Sequence, residues 1–428
     1  MDTTRMDRRT LIRLGAGGAT ALWLGSGLGA LGQASGAIKA AWYGGQDAHD
    51  RMQKAIALFV EKNPDIPVTV EFAPFADFYD RLPVQYSGGG APDMHRHSMT
   101  YLFEYIERGQ LADLTPYVGS IIDTSSLYPG VVEIGTMGST INAIGNNQIA
   151  VALFFNKQKV EEAGVADQLN GMTWDSFKDI AIKLGKAGGD QHYGTADVGG
   201  FAGIFEVFLT QRGKSLYTED KKLNFDRSDL IAWLDFWQEM RAEQGAPPPS
   251  VTAESVGFQN SPMVRGLADS HIGWNQQLVF YQTLMTEELG ITPCPSPAGA
   301  ADNGHLIRAL DFWVVPARSQ HVEQAAKLIN FLLNDEQALA ALGLAFGGPA
   351  SDRAAKVLRE DADATNLKIL DYLDDLRPHA SPAKPRWISG QGEMEALLGR
   401  LNAEVGFGNS TSEAAADTFF SEAEFIFG

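Results

Sequence analysis

Aromatic and polar side chains stand next to each other at predicted ends of β-strands, where a ligand could reach them. Trp42 and Tyr43 end a short apolar run that begins at Ile38, and Gly44 would let a ligand approach the backbone. Asp47 follows and could either cap the next helix or accept a hydrogen bond from a ligand hydroxyl. Flat rings stack on apolar ligand faces, while charged groups form hydrogen bonds, so this combination favours a binding site.

A second polar group follows the predicted strand entry at Pro92-Asp93. His95 and His97 are two residues apart and would share one face of a strand, but no third ligand at a recognised metal-site spacing accompanies them. Arg96, between them, could pair with a carboxylate. The sequence leaves open whether that carboxylate belongs to a ligand or to a buried structural ion pair.

Common catalytic motifs are absent from the sequence. It contains no His-Glu-x-x-His, no Gly-x-Ser-x-Gly and no Walker loop. A Gly-x-Gly-x-x-Gly match at Gly27, Gly29 and Gly32 falls in an apolar leader and is a false positive. The pair Asp374-Asp375 is interpreted as part of a solvated helix face. A polysaccharide hydrolase or lyase would need two carboxylates facing each other across a cleft, and this class is kept as an alternative.

Residues 1–37 have the pattern of a secretory signal. The segment has a charged start, an apolar middle and small residues near its end, and Arg8-Arg9 suggests the twin-arginine route. We therefore expect a mature chain that begins near Ser35 or Ile38 and is soluble in the periplasm. Cys294 is the single cysteine, so no internal disulfide can form, and without a cysteine after the leader we expect no lipid anchor.

The charge balance excludes some partners. The chain has 34 basic and 53 acidic residues, a formal net charge of −19. Such a surface repels nucleic acid and anionic membranes, so we expect neither as a partner. No second apolar run approaches the ~18 residues of a membrane span.

Apolar periodicity alternates between strand and helix patterns along the chain, which favours the α/β class. Strands are predicted at 38–43, 66–72, 149–155, 271–274, 290–293 and 306–315. Helices are predicted after Asp47 and at 102–111, after Thr173, and at 201–210, 228–243, 322–333 and 335–344. The three prolines 247–249 are interpreted as a stiff surface loop.

Several segments, taken in order, resemble the extracellular solute-binding proteins of ABC importers, in the sugar-binding family that includes the maltose-binding proteins. Each motif is weak alone, but their order is specific, and together they cover nearly the whole mature chain. The segments are Trp42 to Gly45 with the helix ending at Pro64, Gly89 to Asp93, Glu104 to Leu114, Phe154 to Gly164, Thr173 to Asp175, Met263 to Trp274 and Ala325 to Leu333.

The resemblance implies a two-lobed periplasmic binding protein fold (type II-like), in which each lobe is a mixed sheet flanked by helices and the ligand cleft lies at the hinge. We expect residues 38–148 and 311–353 in the N-terminal lobe, and 149–310 and 354–428 in the C-terminal lobe, with crossings near residues 148, 310 and 353. The implied function is a receptor that captures a mono- or oligosaccharide and delivers it to a membrane permease. A binder of a polyamine or organic acid is an alternative. We expect a monomer, and the resemblance implies neither a cofactor nor a metal.

The resemblance also proposes roles for individual residues. His97 stands where maltose binders place a stacking tryptophan, and Arg96 would suit a uronate or sulfated sugar. Trp274 matches a family tryptophan after a strand of the second lobe, where Asn275 and Gln276 add amide groups. The remaining candidates lie near the other crossings or late in the chain: Asp311, Trp313, Gly348 and Trp387.

Overall fold

The computed structural model describes residues 37–299, 303–382 and 386–427. The predicted export signal, apart from its last residue, lies outside this range. Within the described residues, no helix has the length and apolar character needed to cross a bilayer.

Ten strands form two main sheets and one short hairpin. The first sheet has five strands in the order β2-β1-β3-β10-β6, the second has three in the order β8-β7-β9, and β4 pairs with β5. The bounds are β1 Ile38–Tyr43, β2 Val68–Ala73, β3 Met94–Ser98, β4 Thr136–Met137, β5 Thr140–Ile141, β6 Ala143–Gly145, β7 Val151–Asn156, β8 Ser270–Trp274, β9 Leu289–Thr292 and β10 Asp311–Val314.

Fifteen α-helices surround these sheets in the described part of the chain. They are α1 Gln46–Lys62, α2 Phe75–Gly88, α3 Met99–Glu107, α4 Lys157–Glu162, α5 Trp174–Gly188, α6 Ala202–Gln211, α7 Arg227–Ala242, α8 Pro249–Ala253, α9 Gln277–Leu284, α10 Val322–Asn334, α11 Glu336–Leu342, α12 Asp352–Glu360, α13 Ala364–Leu376, α14 Gln391–Gly406 and α15 Ser412–Phe427.

Strand β1 lies between β2 and β3 and is apolar except at Lys39, because helices cover both faces of the first sheet. Trp42 packs in a core with residues of α1, α10 and α11. Tyr43, the next residue, points to the other face and packs in a core with residues of α2 and α3. The sheet is mixed: β1, β2 and β3 are parallel, and β10 is antiparallel to β3. The carboxyl ends of β1 and β3 therefore meet the start of β10 at one edge.

The second sheet has β7 at its centre. Val151, the first residue of β7, pairs with Trp274, the last residue of β8. Since Gly145 ends β6 only six positions before Val151, the chain passes directly from the first sheet to the second at this point.

Three crossing segments lie side by side between the two sheets. The backbone N–H of Gln148 donates to the carbonyl of Gly348 over 3.0 Å, and the N–H of Ile149 donates to the carbonyl of Arg308 over 2.9 Å. The sequence predicts lobe crossings near residues 148, 310 and 353. Two of these positions lie close to the bridges that Gln148 and Ile149 form with Gly348 and Arg308.

Most predicted elements occur within a few residues of their expected bounds, and three differ for identifiable reasons. The predicted strand 306–315 is reduced to β10, because residues 308–310 form a crossing. The third helix begins at Met99 because the hydroxyl of Ser98 accepts the N–H of Thr100 over 3.3 Å. The proline run is not wholly a loop: Pro249 starts α8, a position that proline favours.

Candidate functional site

A buried polar network links the first sheet to the crossing segments. The carboxylate of Asp311 accepts hydrogen bonds from Arg96 Nη2 over 2.7 Å, from Asn147 Nδ2 over 2.9 Å and from the hydroxyl of Tyr43. Asn147 Nδ2 also donates to the carbonyl of Phe346 over 2.7 Å. The network therefore joins β1, β3, β10 and two crossings, which is an arrangement that fixes the hinge.

Arg96 is engaged by this network rather than presented to a ligand. Its Nη1 donates to the carbonyl of Tyr43 over 3.0 Å, and the guanidinium lies 4.5 Å from the Tyr43 ring centroid and 4.8 Å from that of Phe346. Burial opposes the charge of Arg96, but the carboxylate of Asp311 outweighs this and raises its pKa. Burial, reinforced by the same carboxylate, raises the pKa of Tyr43 well above its usual value. Of the two interpretations left open above, the geometry matches the buried ion pair.

His97 is completely buried at the centre of an aromatic cluster. Its ring centroid is 5.7 Å from that of Tyr79 and 4.6 Å from that of Tyr105. Burial, with a smaller contribution from His95, holds the pKa of His97 well below its usual value, so the ring is neutral. The neighbouring His95 bonds to the hydroxyl of Tyr86 over 2.7 Å. Within the described ranges, no group of three potential metal ligands is present here or elsewhere.

Several other predicted site residues lie in the interior. Trp42 is 1% exposed, stacks on Phe72, and donates from Nε1 to His49 Nδ1 over 3.1 Å. Trp313 is 2% exposed in the same core. Both rings fill space between β-sheet and helices, which accounts for their presence without a ligand.

The residues around the first helix have local roles. Gly44 donates its N–H to the carbonyl of Ala73 over 3.1 Å and continues the β1–β2 pairing. Asp47 does not cap α1, because the N-cap residue is Gly45; Asp47 is exposed in the first turn and accepts from Arg51 Nε over 2.8 Å. Its negative charge at this helix end is favourable to the helix dipole.

Trp274 has the geometry expected of a ligand-contacting aromatic residue. It is partly exposed at the end of β8, and its ring meets Phe201 edge to face, with centroids 5.1 Å apart. A side chain at Gly203 would collide with both rings, at 2.6 and 2.7 Å, so glycine is needed there. We call Trp274 and Phe201 the aromatic wall.

The aromatic wall lines a cavity of about 460 Å³, which we call the larger chamber. Polar side chains of Asp197, Gln277 and Asn402 also line it. This volume falls in the range of small-molecule sites, and the combination of aromatic surface with a few polar groups is typical of them. None of the other residues predicted from the sequence lines this chamber.

The amide residues after Trp274 have positioning roles. Asn275 is fully buried, and its Oδ1 accepts the N–H of Ala150 over 3.0 Å, which ties the end of β8 to a crossing segment. Gln276 is partly exposed, with a buried Oε1 that has no hydrogen-bond partner in the described chain. The residue that instead reaches the chamber is Gln277, whose Oε1 accepts the N–H of Trp274 over 3.1 Å.

Gly348 and Trp387, the last two predicted site residues, both lie close to the crossing segments. Gly348 lies in the third crossing; a side chain there would approach Leu373 to 2.4 Å and the carbonyl of Gln148 to 2.6 Å. Trp387 is 3% exposed and donates from Nε1 to Glu206 Oε2 over 3.2 Å.

Glu206 and Arg308 form a second buried ion pair next to Trp387. Arg308 Nη1 donates to Glu206 Oε1 over 3.1 Å and Nη2 donates to Oε2, so the pair is bidentate. The Arg308 guanidinium lies 4.9 Å from the Trp387 ring centroid. Because Arg308 belongs to a crossing segment, this pair anchors the hinge to α6.

The start of α14 forms a seam with α3. A Cβ at Gly392 would lie 2.8 Å from Tyr101 Cε1, so glycine permits the close approach. Glu395, one turn later, accepts from Gln391 Nε2 over 2.8 Å and has no ion-pair partner among the described residues. Burial, together with the nearby Glu206, raises the pKa of Glu395 to about 7, although Gln391 acts in the opposite direction.

Another cavity, separate from the larger chamber and with a volume of about 980 Å³, lies at the opposite edge of the first sheet. It adjoins Ala37, the first described residue, and includes Lys39, Arg108 and Arg318. No residue predicted as a site from the sequence lines it, and it is distant from the hinge. The larger chamber beside the aromatic wall is therefore the stronger candidate.

The family model of the bacterial extracellular solute-binding proteins matches residues 45–339. The chain belongs to this family. The matched range includes the aromatic wall, three members of the buried network, Arg96, Asn147 and Asp311, and two of the three crossings.

Solved structures of solute-binding proteins have the same fold. A periplasmic solute-binding protein from Pectobacterium atrosepticum has a TM-score of 0.83 at 23% identity, covering 92% of this chain and 98% of that one. An oligogalacturonide-binding protein from Yersinia enterocolitica, in complex with saturated digalacturonic acid, has a TM-score of 0.81 at 22% identity, covering 91% and 98%. A family 1 extracellular solute-binding protein from Alicyclobacillus acidocaldarius has a TM-score of 0.70 at 25% identity, covering 92% and 98%. The predicted two-lobed α/β fold is confirmed.

Sequence relatives of the solute-binding protein match over shorter stretches. A "putative binding protein" of Brucella abortus is 29% identical over 141 residues, which is 32% of this chain and 32% of the relative. The chain thus spans about a third of the length of the curated relatives it matches first.

Sequence reasoning missed several residues of the site. Asp197 and Phe201 lie in one loop, about 200 positions before Asn402 in α14, and Gln277 was passed over for its neighbours. The one available signal was Phe201 beside Gly200 and Gly203, a large ring flanked by glycines.

Proposed function

We propose that this solute-binding protein is the receptor of an ABC importer and captures a mono- or oligosaccharide between its two lobes. The observation that carries the proposal is the partly exposed aromatic wall of the larger chamber. The residues that line this chamber all belong to the proposed C-terminal lobe, so the N-terminal lobe would close over it. Its rings offer flat apolar surface, and Asp197, Gln277 and Asn402 also line the chamber. A polyhydroxylated ring presents apolar and hydrogen-bonding faces together, which matches this division.

The crossing segments support closure as the capture mechanism. They are brief, paired to one another, and tied to both sheets by the Asp311 and Glu206 ion pairs. A solute that contacts both lobes would favour the closed state by its differential affinity for that state. The proposed lobes are residues 38–148 with 311–353, and 149–310 with 354–428.

Export and delivery complete the proposal. The leader at 1–37 would direct the chain to the periplasm through the twin-arginine route, where it would act as a monomer and dock on the transmembrane subunits of a permease. Amino-terminal sequencing of exported protein and light scattering would test these points.

An amine-containing solute is a second candidate, favoured by one observation. Glu395 is a partly buried carboxyl at the seam and has no basic partner among the described residues. A cationic ligand could supply that partner. An organic acid has less support, because Asp311 already neutralises Arg96.

A thermal-shift screen of residues 38–428 tests the proposal. The panel contains neutral sugars, uronates, oligosaccharides, polyamines and amino acids. A ligand at 100 times its Kd adds about 2.7 kcal/mol of stability, a readable rise in Tm. Stabilisation by one class of sugar is the expected result. Stabilisation by an amine alone, with no response to any sugar, would replace the substrate class and retain the fold.

A further inference from the structure

The seam between α3 and α14 is a place where helices of the two proposed lobes meet. Tyr101 of α3 reaches Gly392 of α14, which has no side chain to hold the two helices apart. At the other end of α3, Glu107 Oε1 and Lys221 Nζ form an ion pair over 2.5 Å between the same two lobes. If the lobes separate during solute capture, these contacts open, so groups at the seam have different surroundings in the open and closed states.

The seam is rich in acidic groups that come from both lobes. Burial and then four nearby carboxylates raise the pKa of the Tyr101 hydroxyl. These carboxylates are Glu395 and Glu393 on α14, Glu104 on α3 and Asp80 on α2. Within the described ranges, Glu104 is the one member of this set that forms an ion pair, with Arg108 over 2.7 Å. Closing the lobes therefore brings like charges together, which opposes closure.

Glu395 has the position that least suits a charge. Asp80 and Glu393 are exposed, whereas Glu395 is partly buried. Its Oε1 accepts from Gln391, whose own Oε1 accepts from the hydroxyl of Tyr217 over 2.5 Å.

Glu206 of α6 adds to this effect on Glu395. Its carboxylate is close enough to raise the pKa of Glu395 further, although it is itself paired with Arg308. With burial as the larger cause, that pKa reaches about 7. In the structure as it stands, a proton rather than a basic side chain neutralises Glu395.

We propose that Glu395 is a pH-sensitive switch for lobe closure: the protonated carboxyl lets α3 and α14 meet, and the ionised carboxylate keeps them apart. This inference rests on closure as the capture mechanism in the proposed function. Opening the seam exposes Glu395 to water, where ionisation is favourable, and closing returns it to a partly buried site among other acids. Closing therefore takes up a proton and becomes more favourable as the pH falls.

The test is small-angle X-ray scattering on residues 38–428 with no solute added, at pH 5.5 and pH 8.5, extrapolated to zero protein concentration. A carboxyl whose pKa rises from its usual value of about 4.5 to about 7 on closing shifts the equilibrium between open and closed forms by about 30-fold over this range. We expect a smaller radius of gyration at pH 5.5. Equal radii at the two pH values would overturn the inference.

Two variants assign the titrating group. Glu395→Gln is neutral at both pH values and can still accept from Gln391, so it should have the smaller radius of gyration at both. Glu393→Gln is the matched control, since Glu393 is exposed on the same helix, and this variant should keep the pH dependence of the wild type. A pH-dependent radius that persisted in Glu395→Gln would assign the titration to another group, such as His192 beside Asp269, and would refute the switch. Circular dichroism at both pH values verifies that the variants fold.

The switch and the proposed function fail in different experiments. Because the radius of gyration is measured without a solute, loss of its pH dependence refutes the switch even when a sugar stabilises the protein in the thermal-shift screen. A pH-dependent radius together with no response to any sugar in that screen would refute the sugar receptor and retain the switch.

Discussion

Replacing Trp274 with alanine separates a ligand-binding role from a structural one. The side chain is partly exposed, and its clearest internal contact is the edge-to-face meeting with Phe201 at 5.1 Å. Such a pair contributes about 0.5–1.5 kcal/mol beyond the area that it buries. Trp274 also packs against the core, so Trp274→Ala should lower the free energy of unfolding by about 2 kcal/mol. Truncating an aromatic anchor in a binding site costs about 2 kcal/mol or more, which corresponds to a loss of roughly 30-fold in affinity.

The control is Trp42→Ala in the other core. Trp42 is 1% exposed, and truncating a fully buried tryptophan typically costs about 3–5 kcal/mol of stability. Urea unfolding gives the stability of both variants, and calorimetry with the best sugar of the panel gives affinity. If Trp274→Ala lost more than about 3 kcal/mol of stability while keeping its affinity within a factor of three, Trp274 would be a core residue and the site reasoning would fail.

Three further predictions concern the hinge, the seam and the wall. Asp311→Ala leaves a buried guanidinium unpaired and should lower the free energy of unfolding by about 3–5 kcal/mol; a loss below about 1 kcal/mol in urea would contradict the network. Burial raises the pKa of Glu395 to about 7, so the folded state favours the protonated carboxyl. Its contribution to the free energy of unfolding is therefore complete below the unfolded-state pKa and is lost as the pH rises through 7. Glu395→Gln should therefore gain stability relative to wild type at pH 8 but not at pH 4, whereas Glu393→Gln, on the same helix, should show no such difference; identical pH profiles for the two variants would refute this. Gly203→Ala would push a methyl into both rings of the aromatic wall and should weaken sugar binding about tenfold, and unchanged affinity by calorimetry would show that the wall does not contact the solute.

Elements with strong local signals were predictable from the sequence. The spacing of Met52, Ala55, Ile56 and Phe59 marks a helix, and Thr173 caps α5 by accepting the N–H of Ser176 over 3.2 Å. Strand β1 was found because burial on both faces leaves a run that is apolar except at Lys39. These signals are local, since each depends on a few neighbouring residues.

The site was harder to predict, because the type of a residue does not reveal which way its side chain points in the folded protein. Trp42 and Tyr43 are adjacent at a strand end, but the two-residue period of the strand sends Trp42 into a core and Tyr43 towards Asp311. Trp274 was identified from its family motif, whereas Phe201 was missed. Its only link to Trp274 is a contact that forms once α6 packs against the second sheet.

The sequence by itself determined the α/β class, the order of many of the elements and the family resemblance, because periodicity, caps and motifs depend on short stretches of chain. Only the tertiary structure decided that Asp311 forms an ion pair with Arg96, that Glu206 forms one with Arg308, and that the ring of Phe201 contacts that of Trp274. Asp311 and Arg96 are 215 positions apart. Burial and pairing depend on which side chains the fold brings within hydrogen-bond distance, and that property belongs to the packed chain rather than to any segment of it.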